Sequence, residues 1–171
     1  EAGRGPLCGP VFASAVILDS ALIVNNLTDS KKLSEKDRNS LYSEIKAKAI
    51  ECSYATASVE EIDNINILQA SLLAMKRAFN LLSNKPDFVY IDGMYCPDIK
   101  IVPMKAIIRG DSLIHAISAA SVIAKVERDK FMLELDKEYP QYNLKKHKGY
   151  PTKEHIRLLK QYGVNKIYRL S

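Results

Sequence analysis

The chain has 171 residues, 47% of them hydrophobic, enough to bury one core without disulfides or a structural metal. Its longest apolar stretches, such as Val11 to Leu18, are too short to span a bilayer, so no membrane partner is expected. The formal charge of +5 is unevenly placed: residues 141–171 carry Lys145, Lys146, Lys148, Lys153, Arg157, Lys160, Lys166 and Arg169 against one acid, Glu154, and the rest of the chain is close to neutral.

Two readings of that basic third stand side by side. A phosphate-backbone partner selects such a patch, and a solvated helix face also carries one. Cys8, Cys52 and Cys96 show no C-x-x-C spacing, and His115, His147 and His155 share no ligand spacing. The simple reading is a reduced, cytoplasmic, monomeric protein without a zinc site. No repeat or Pro/Gly-rich linker divides the sequence. Residues 1–140 therefore read as an α/β core, with 141–171 as a basic helical region of the same domain.

In chain order, Val11 to Leu18 is a buried-strand candidate. Ser34 with Asp37 resembles a capping box, and Leu41, Ile45 and Ala49 recur at helical spacing, which predicts a helix from Ser34 to Ile50. Cys52 to Val59 alternates like a short strand. Leu68, Leu72, Met75, Phe79 and Leu82 then form a helical stripe expected to pack in the core. Phe88 to Ile91 is a β-rich run ending at Asp92-Gly93, and Lys105 to Ile108 is a second ending at Arg109-Gly110-Asp111. Two aspartates thus stand at the ends of two strands, where open α/β sheets build their sites. Taken singly, each is equally well a turn cap. Ile117 to Glu138 is a helix, with Ala119, Ala120 and Ala124 small enough to approach a sheet. Thr152 is the expected N-cap of a last helix carrying Ile156, Leu159 and Tyr162 on its apolar face.

The opening Glu1-Ala2-Gly3-Arg4-Gly5-Pro6 has no Gly-Lys-Ser/Thr after it and is not a P-loop. It reads either as an ordinary turn or as a loop whose glycines bring backbone N–H groups to a sugar-phosphate while Arg4 supplies a charged fork. Asp29, Ser30, Lys31 and Lys32 precede the first helix, where Lys31 and Lys32 either contact phosphate or face solvent. Ser118, Ser121, Lys125 and Asp129 share a face of the long helix, and Lys125 and Asp129 are spaced to pair with each other. Asp129, Lys125 and Ser121 are read as supporting or structural residues. His147 is placed in a loop near nucleic acid rather than in catalysis.

The opening resembles the D-E-A-G-R-G-P motif of ribonuclease HII, the bacterial type 2 ribonuclease H, with its leading aspartate missing. Further blocks follow in that family's order: Asp29 to Ser34, Glu61-Ile62-Asp63 with Asn66 to Ala70, Ile91-Asp92-Gly93, Gly110-Asp111-Ser112, Ser118 to Val126 with Arg128-Asp129, and His147 to Thr152. The resemblance implies a ribonuclease H-like α/β fold, a mixed sheet of about five strands flanked by helices with a small helical C-terminal region. It also implies a cluster of four carboxylates that binds Mg²⁺ or Mn²⁺, two ions with substrate. Glu1, Asp92 and Asp111 match three of these acids, as catalytic and metal-binding residues, and the fourth would precede Glu1. Gly3, Arg4 and Gly5 inherit the reading of the ribose 2′-OH. Tyr150 matches the family tyrosine that bonds the ribose region and stacks on the next sugar.

The expected activity is hydrolysis of the phosphodiester 5′ to a ribonucleotide in an RNA/DNA hybrid or in duplex DNA, leaving a 3′-OH and a 5′-phosphate, with use in removing misincorporated ribonucleotides and RNA primers. Two alternatives remain open, a type 3 ribonuclease H and a catalytically dead hybrid-binding fragment. The chain is expected to be truncated at both ends, and to be nearly inactive until the upstream segment with its aspartate is restored before Glu1.

Overall fold

A computed structural model describes residues 1–19 and 33–170. Lys31 and Lys32, with Asp29 and Ser30, lie outside the described residues.

The first strand, β1 (Val11–Ile17), alternates its side chains between two helical layers, as the period of an extended chain requires. Val11 and Ala13 join Ala57, Ile62, Ala70 and Ala74 in one cluster. On the other face Val16 packs against Leu41, Ile45, Ala119, Val122, Ile123 and Val126, and the Ser14 hydroxyl donates to the Ala120 carbonyl. The sheet is thereby sandwiched between α2 (Val59–Asn80) on one side and α1 (Glu35–Lys48) with α3 (His115–Glu138) on the other.

Antiparallel pairing joins β1 to β2 (Glu51–Ala57), from Val11 opposite Ala57 to Ile17 opposite Glu51. A parallel ladder joins β3 (Val89–Asp92) to β4 (Met104–Ile107), with Asp92 opposite Ile107. The α/β class and its flanking helices are as expected. Where about five strands in one sheet were expected, the described residues form four, in two two-stranded ladders. A cavity of ≈ 320 Å³ is walled by residues of both β1 and β3, together with Phe79, Leu82 and Ile117.

Local chemistry accounts for the element ends. Ser34 accepts the Asp37 N–H at 3.1 Å and caps α1, but its hydroxyl also donates to the Asp37 carboxylate, so the reciprocal half of a capping box is replaced by a side-chain bond. At α2 the box is complete between Ser58 and Glu61. Asn66, at φ 66°, breaks α2, and its Oδ1 accepts the N–H groups of Leu68 and Gln69, so it caps the second half of the helix. Glu61 also meets Arg77 through two hydrogen bonds of 2.8 and 2.6 Å, and that guanidinium, with the Ser58 N–H, holds its carboxyl near a pKa of about 2.

The expected stripe is buried in part: Phe79 and Leu82 lie in the core as expected, whereas Leu68, Leu72 and Met75 are half-buried, and α2 also buries Ile62, Ala70, Ser71, Ala74 and Ala78. Small residues bring the helix axis close to the sheet, and the larger Met75, Phe79 and Leu82 turn toward the cavity. In α5 (Lys153–Tyr162), capped by Thr152 as expected, His155 and Leu158 are the buried positions, with Ile156 and Leu159 half-buried and Tyr162 exposed.

The C-terminal region, with α4 (Leu144–His147) and α5, does not stand apart. Tyr142, Leu144, Ile167 and Tyr168 share a cluster with Cys8 and with Met132 and Leu135 of α3. No helix among the described residues is long and apolar enough to cross a membrane.

Ala74 has no accessible surface, so Ala74→Leu should overpack the interface between α2 and the sheet and cost about 1–3 kcal/mol in urea unfolding. Leu68→Ala, at a half-buried position, should cost less. The reverse ranking would mean that the leucine stripe carries the packing.

Candidate functional site

Glu1 opens a loop that is tied down along its length. Ala2 pairs with Phe12 through two backbone bonds of 2.8 and 2.9 Å, the Leu7 N–H donates to Gly149, and the Gly9 N–H donates to Ile167. Gly3 sits at φ +98°, and a Cβ there would lie 2.2 Å from Nε of Arg128, so glycine is required by both conformation and space. Arg128 is fully buried, and it donates to the carbonyls of Pro10, Lys148 and Cys8 at 3.4, 3.0 and 3.2 Å.

Arg169, counted in the sequence with the basic tail, turns inward instead. Its guanidinium donates to Gly3, Arg4, Pro6 and Gly9. Burial, and then the charge of Arg128, push its pKa down to about 10. Nothing in residue type separates this arginine from its exposed neighbours, and only the long-range contact reveals it. Lys146 is also partly spoken for, pairing with Glu154 at 2.6 Å.

The loop brings several expected residues together. Arg4 and Gly5 are exposed, and a Cβ on Gly5 would stand 3.6 Å from the Tyr150 ring. Tyr150 is 40% exposed, and its carbonyl accepts from the Thr152 N–H and is bonded to His155, which holds its backbone beside the glycine loop. Lys125 lies 5.9 Å from the centre of that ring and pairs with Asp129 at 2.6 Å. Burial lowers the pKa of Lys125, opposed by its bond to Asp129. Asp129 also faces Arg38 at 3.7 Å, so it ties α1 to α3 and supports Tyr150 through Lys125.

Two of the three acids line the cavity. Glu1 and Asp92 both line it, together with the buried Ser121. Asp92 ends β3, and its Oδ1 accepts the Gly110 N–H at 2.9 Å, which draws the 3-10 turn Gly110–Ser112 and the buried Asp111 beside it. The turn follows Arg109, which adopts the left-handed conformation at φ 56°. Oε2 of Glu1 is buried without a hydrogen-bond partner, and its Oε1 meets Arg4 at 3.4 Å.

A ready-made metal cluster, expected from the resemblance, is not what these residues form. Among the described residues no three His, Cys, Asp or Glu side chains are gathered closely enough to hold a metal ion. Like charges repel at short range, and one Asp92 oxygen is already engaged by a backbone donor. The donor set is nevertheless all oxygen, which suits Mg²⁺ or Mn²⁺, and the orphaned Glu1 oxygen fits a cation neighbour.

The chain matches the family model for ribonuclease HII over residues 1–171. The chain belongs to the ribonuclease HII family. A ribonuclease HII of Polaromonas sp. (strain JS666 / ATCC BAA-500) is 52% identical over 171 residues, covering 100% of this chain and 85% of that protein. The ribonuclease H2 from Pyrococcus horikoshii OT3 is similar in structure with a TM-score of 0.80 at 26% identity, covering 99% of this chain and 89% of that one. Bst-RNase HIII, in complex with Mn²⁺, shares the fold alone, with a TM-score of 0.68 at 16% identity over 81% of this chain and 53% of that one. Membership in the ribonuclease HII family makes this chain a ribonuclease H, a hydrolase of the endonuclease kind.

His147 is not a loop residue but the last residue of α4. It is buried and stacked on His155 at 4.1 Å between ring centres. Its Nδ1 accepts the Gly149 N–H at 3.2 Å, so the proton sits on Nε2 and is donated to the Tyr142 carbonyl at 2.9 Å. His155 bonds Tyr150 and Tyr168 in turn. Cys8 is equally structural, its thiol pushed up to about 11 by burial.

Burial, and next the adjacent His155, lower the pKa of His147. A histidine depressed in the folded state contributes stability that is whole above its unfolded value of about 6.5 and is lost as the pH falls below it. The melting temperature should therefore decline from about pH 6.5 downward, and His147→Asn should flatten that decline. Parallel profiles for parent and variant would contradict the assignment.

Proposed function

We propose that the chain hydrolyses the phosphodiester on the 5′ side of a ribonucleotide in an RNA/DNA hybrid or in duplex DNA, leaving a 3′-OH and a 5′-phosphate. The observation that carries this reading is a juxtaposition. One short loop presents Glu1 at the cavity and, four residues on, Gly5 against the ring of Tyr150. A group that recognises a sugar and a group that acts on its phosphate are thus a few residues apart.

Each residue has a task in this reading. The exposed backbone at Arg4 and Gly5 meets the ribose 2′-OH, the one chemical feature by which an embedded ribonucleotide differs from its neighbours. Tyr150 offers a partly exposed aromatic ring for the adjoining sugar and a hydroxyl for the junction. Arg4, on the rim, is positioned for a phosphate oxygen as well as for Glu1. The exposed Lys145 and the basic face around α4 and α5 hold the duplex backbone without regard to sequence.

Glu1, Asp92 and Asp111 would hold Mg²⁺ or Mn²⁺. Divalent ions in an all-oxygen site activate water and stabilise a leaving oxygen in phosphodiester hydrolysis. Asp92 is kept in place for this by the Gly110 N–H, and Asp111 by burial in the turn that follows. Removal of ribonucleotides and primers from DNA is the use that this chemistry serves.

The test places an aspartate before Glu1 and compares that protein with its Asp92→Asn form on a duplex holding one ribonucleotide, in Mg²⁺. Asp92→Asn should bind the duplex as before and cut it at least about tenfold more slowly, a loss of about 1.4 kcal/mol or more in barrier terms. Cleavage within a factor of two of the parent would remove Asp92 from the machinery.

A further inference from the structure

Arg169 makes five hydrogen bonds to the loop, all to carbonyls: Nη2 to Gly3 at 2.7 Å, Nη1 to Arg4 at 3.2 Å and to Pro6 at 2.9 Å, and Nε and Nη2 to Gly9 at 2.9 and 2.7 Å. Its own N–H donates to the Leu7 carbonyl at 2.9 Å, and Cys8 bridges to Tyr168. The neighbouring Leu170 N–H is held by Asp63 of α2 at 2.9 Å. The arginine is therefore anchored on both sides, and its planar fork is presented to the loop from the inside.

This one-sidedness matters. Carbonyls of Gly3, Arg4 and Pro6 converge on a single guanidinium, whereas among the described residues no hydrogen bond engages the N–H of Arg4 or of Gly5. Both residues are exposed. A loop whose acceptors are gathered inward leaves its donors facing out, and successive outward N–H groups form a concave site for an oxygen ligand. Buried carbonyls left without a donor would rotate to find one, and the amides would rotate with them because the peptide unit is planar.

We propose that Arg169 is a positioning residue for ribose recognition: by holding the carbonyls of Gly3, Arg4, Pro6 and Gly9 inward, it sets the N–H groups of Arg4 and Gly5 to receive a sugar hydroxyl. The proposal rests on the reading of the glycine loop given above. It assigns to a C-terminal residue, 164 or more positions away from that loop's donors, a share in telling RNA from DNA. A lysine substitutes only in part, because one ammonium has three donors on a single point and cannot span four carbonyls as a fork does.

The experiment measures fluorescence anisotropy in EDTA, so that no strand is cut, for two duplexes that differ only in one 2′-OH. The 171-residue chain should bind the ribonucleotide duplex about tenfold more tightly. Arg169→Gln should keep its affinity for the all-DNA duplex and bring the preference to near unity. Arg169→Lys, which retains the charge and most of the packing, should fall between the two and carries the test should Arg169→Gln fail to fold. A folded Arg169→Gln or Arg169→Lys with the parent's full preference would overturn the role of Arg169 while leaving ribose reading by the loop intact. A parent without any preference would overturn both.

Discussion

The buried guanidinium of Arg128 is the constraint on which the site depends. It reaches from α3 to the carbonyls of Cys8, Pro10 and Lys148, and so joins the opening loop, the long helix and the turn before Tyr150 at one point. A charge without accessible surface is tolerable only when its donors are matched, and three carbonyls meet that need. Each carbonyl left unsatisfied would cost about 1–3 kcal/mol. Gly3 has no side chain because Arg128 occupies the place where one would go.

Around that point the fold serves the chemistry in a simple way. Strand β1 fixes the loop through the pairing of Ala2 with Phe12, and β3 delivers Asp92 to the same cavity. The Asp92 carboxylate then recruits the start of the next turn through Gly110, which brings Asp111 along. The C-terminal region contributes from the other side. His147 and His155 stack beneath the turn that holds Tyr150, and Tyr168 closes the chain of bonds. The opening loop thus carries both an acid and sugar-reading backbone, the middle of the sequence supplies Asp92 and Asp111, and the C-terminal region supplies Tyr150.

Much of this is legible in the sequence, and the reasons for the remainder are physical. Strand ends are readable because Asp92-Gly93 and Arg109-Gly110-Asp111 combine β-rich runs with turn residues, and Thr152 is readable as a cap because capping is local. The inner face of α2 is not, because Ala70, Ala74 and Ala78 are chosen for close approach, which a reading based on large apolar residues passes over. His147 and Arg169 are polar residues in a basic stretch, and only contacts across the chain reveal that they are buried or turned inward. Arg128 stands in a recognisable block beside Asp129, yet spacing alone points to Asp129, the residue with an obvious helical partner in Lys125.

The most direct test of the whole account is a cleavage assay in Mg²⁺, using the protein with an aspartate before Glu1 and two DNA duplexes that differ by a single 2′-hydroxyl. The account predicts one cut, on the 5′ side of the ribonucleotide, with a 3′-OH and a 5′-phosphate at the new ends, and no cut in the all-DNA duplex. Equal cleavage of both duplexes, or tight binding of the ribonucleotide duplex with no cleavage at all, would contradict it.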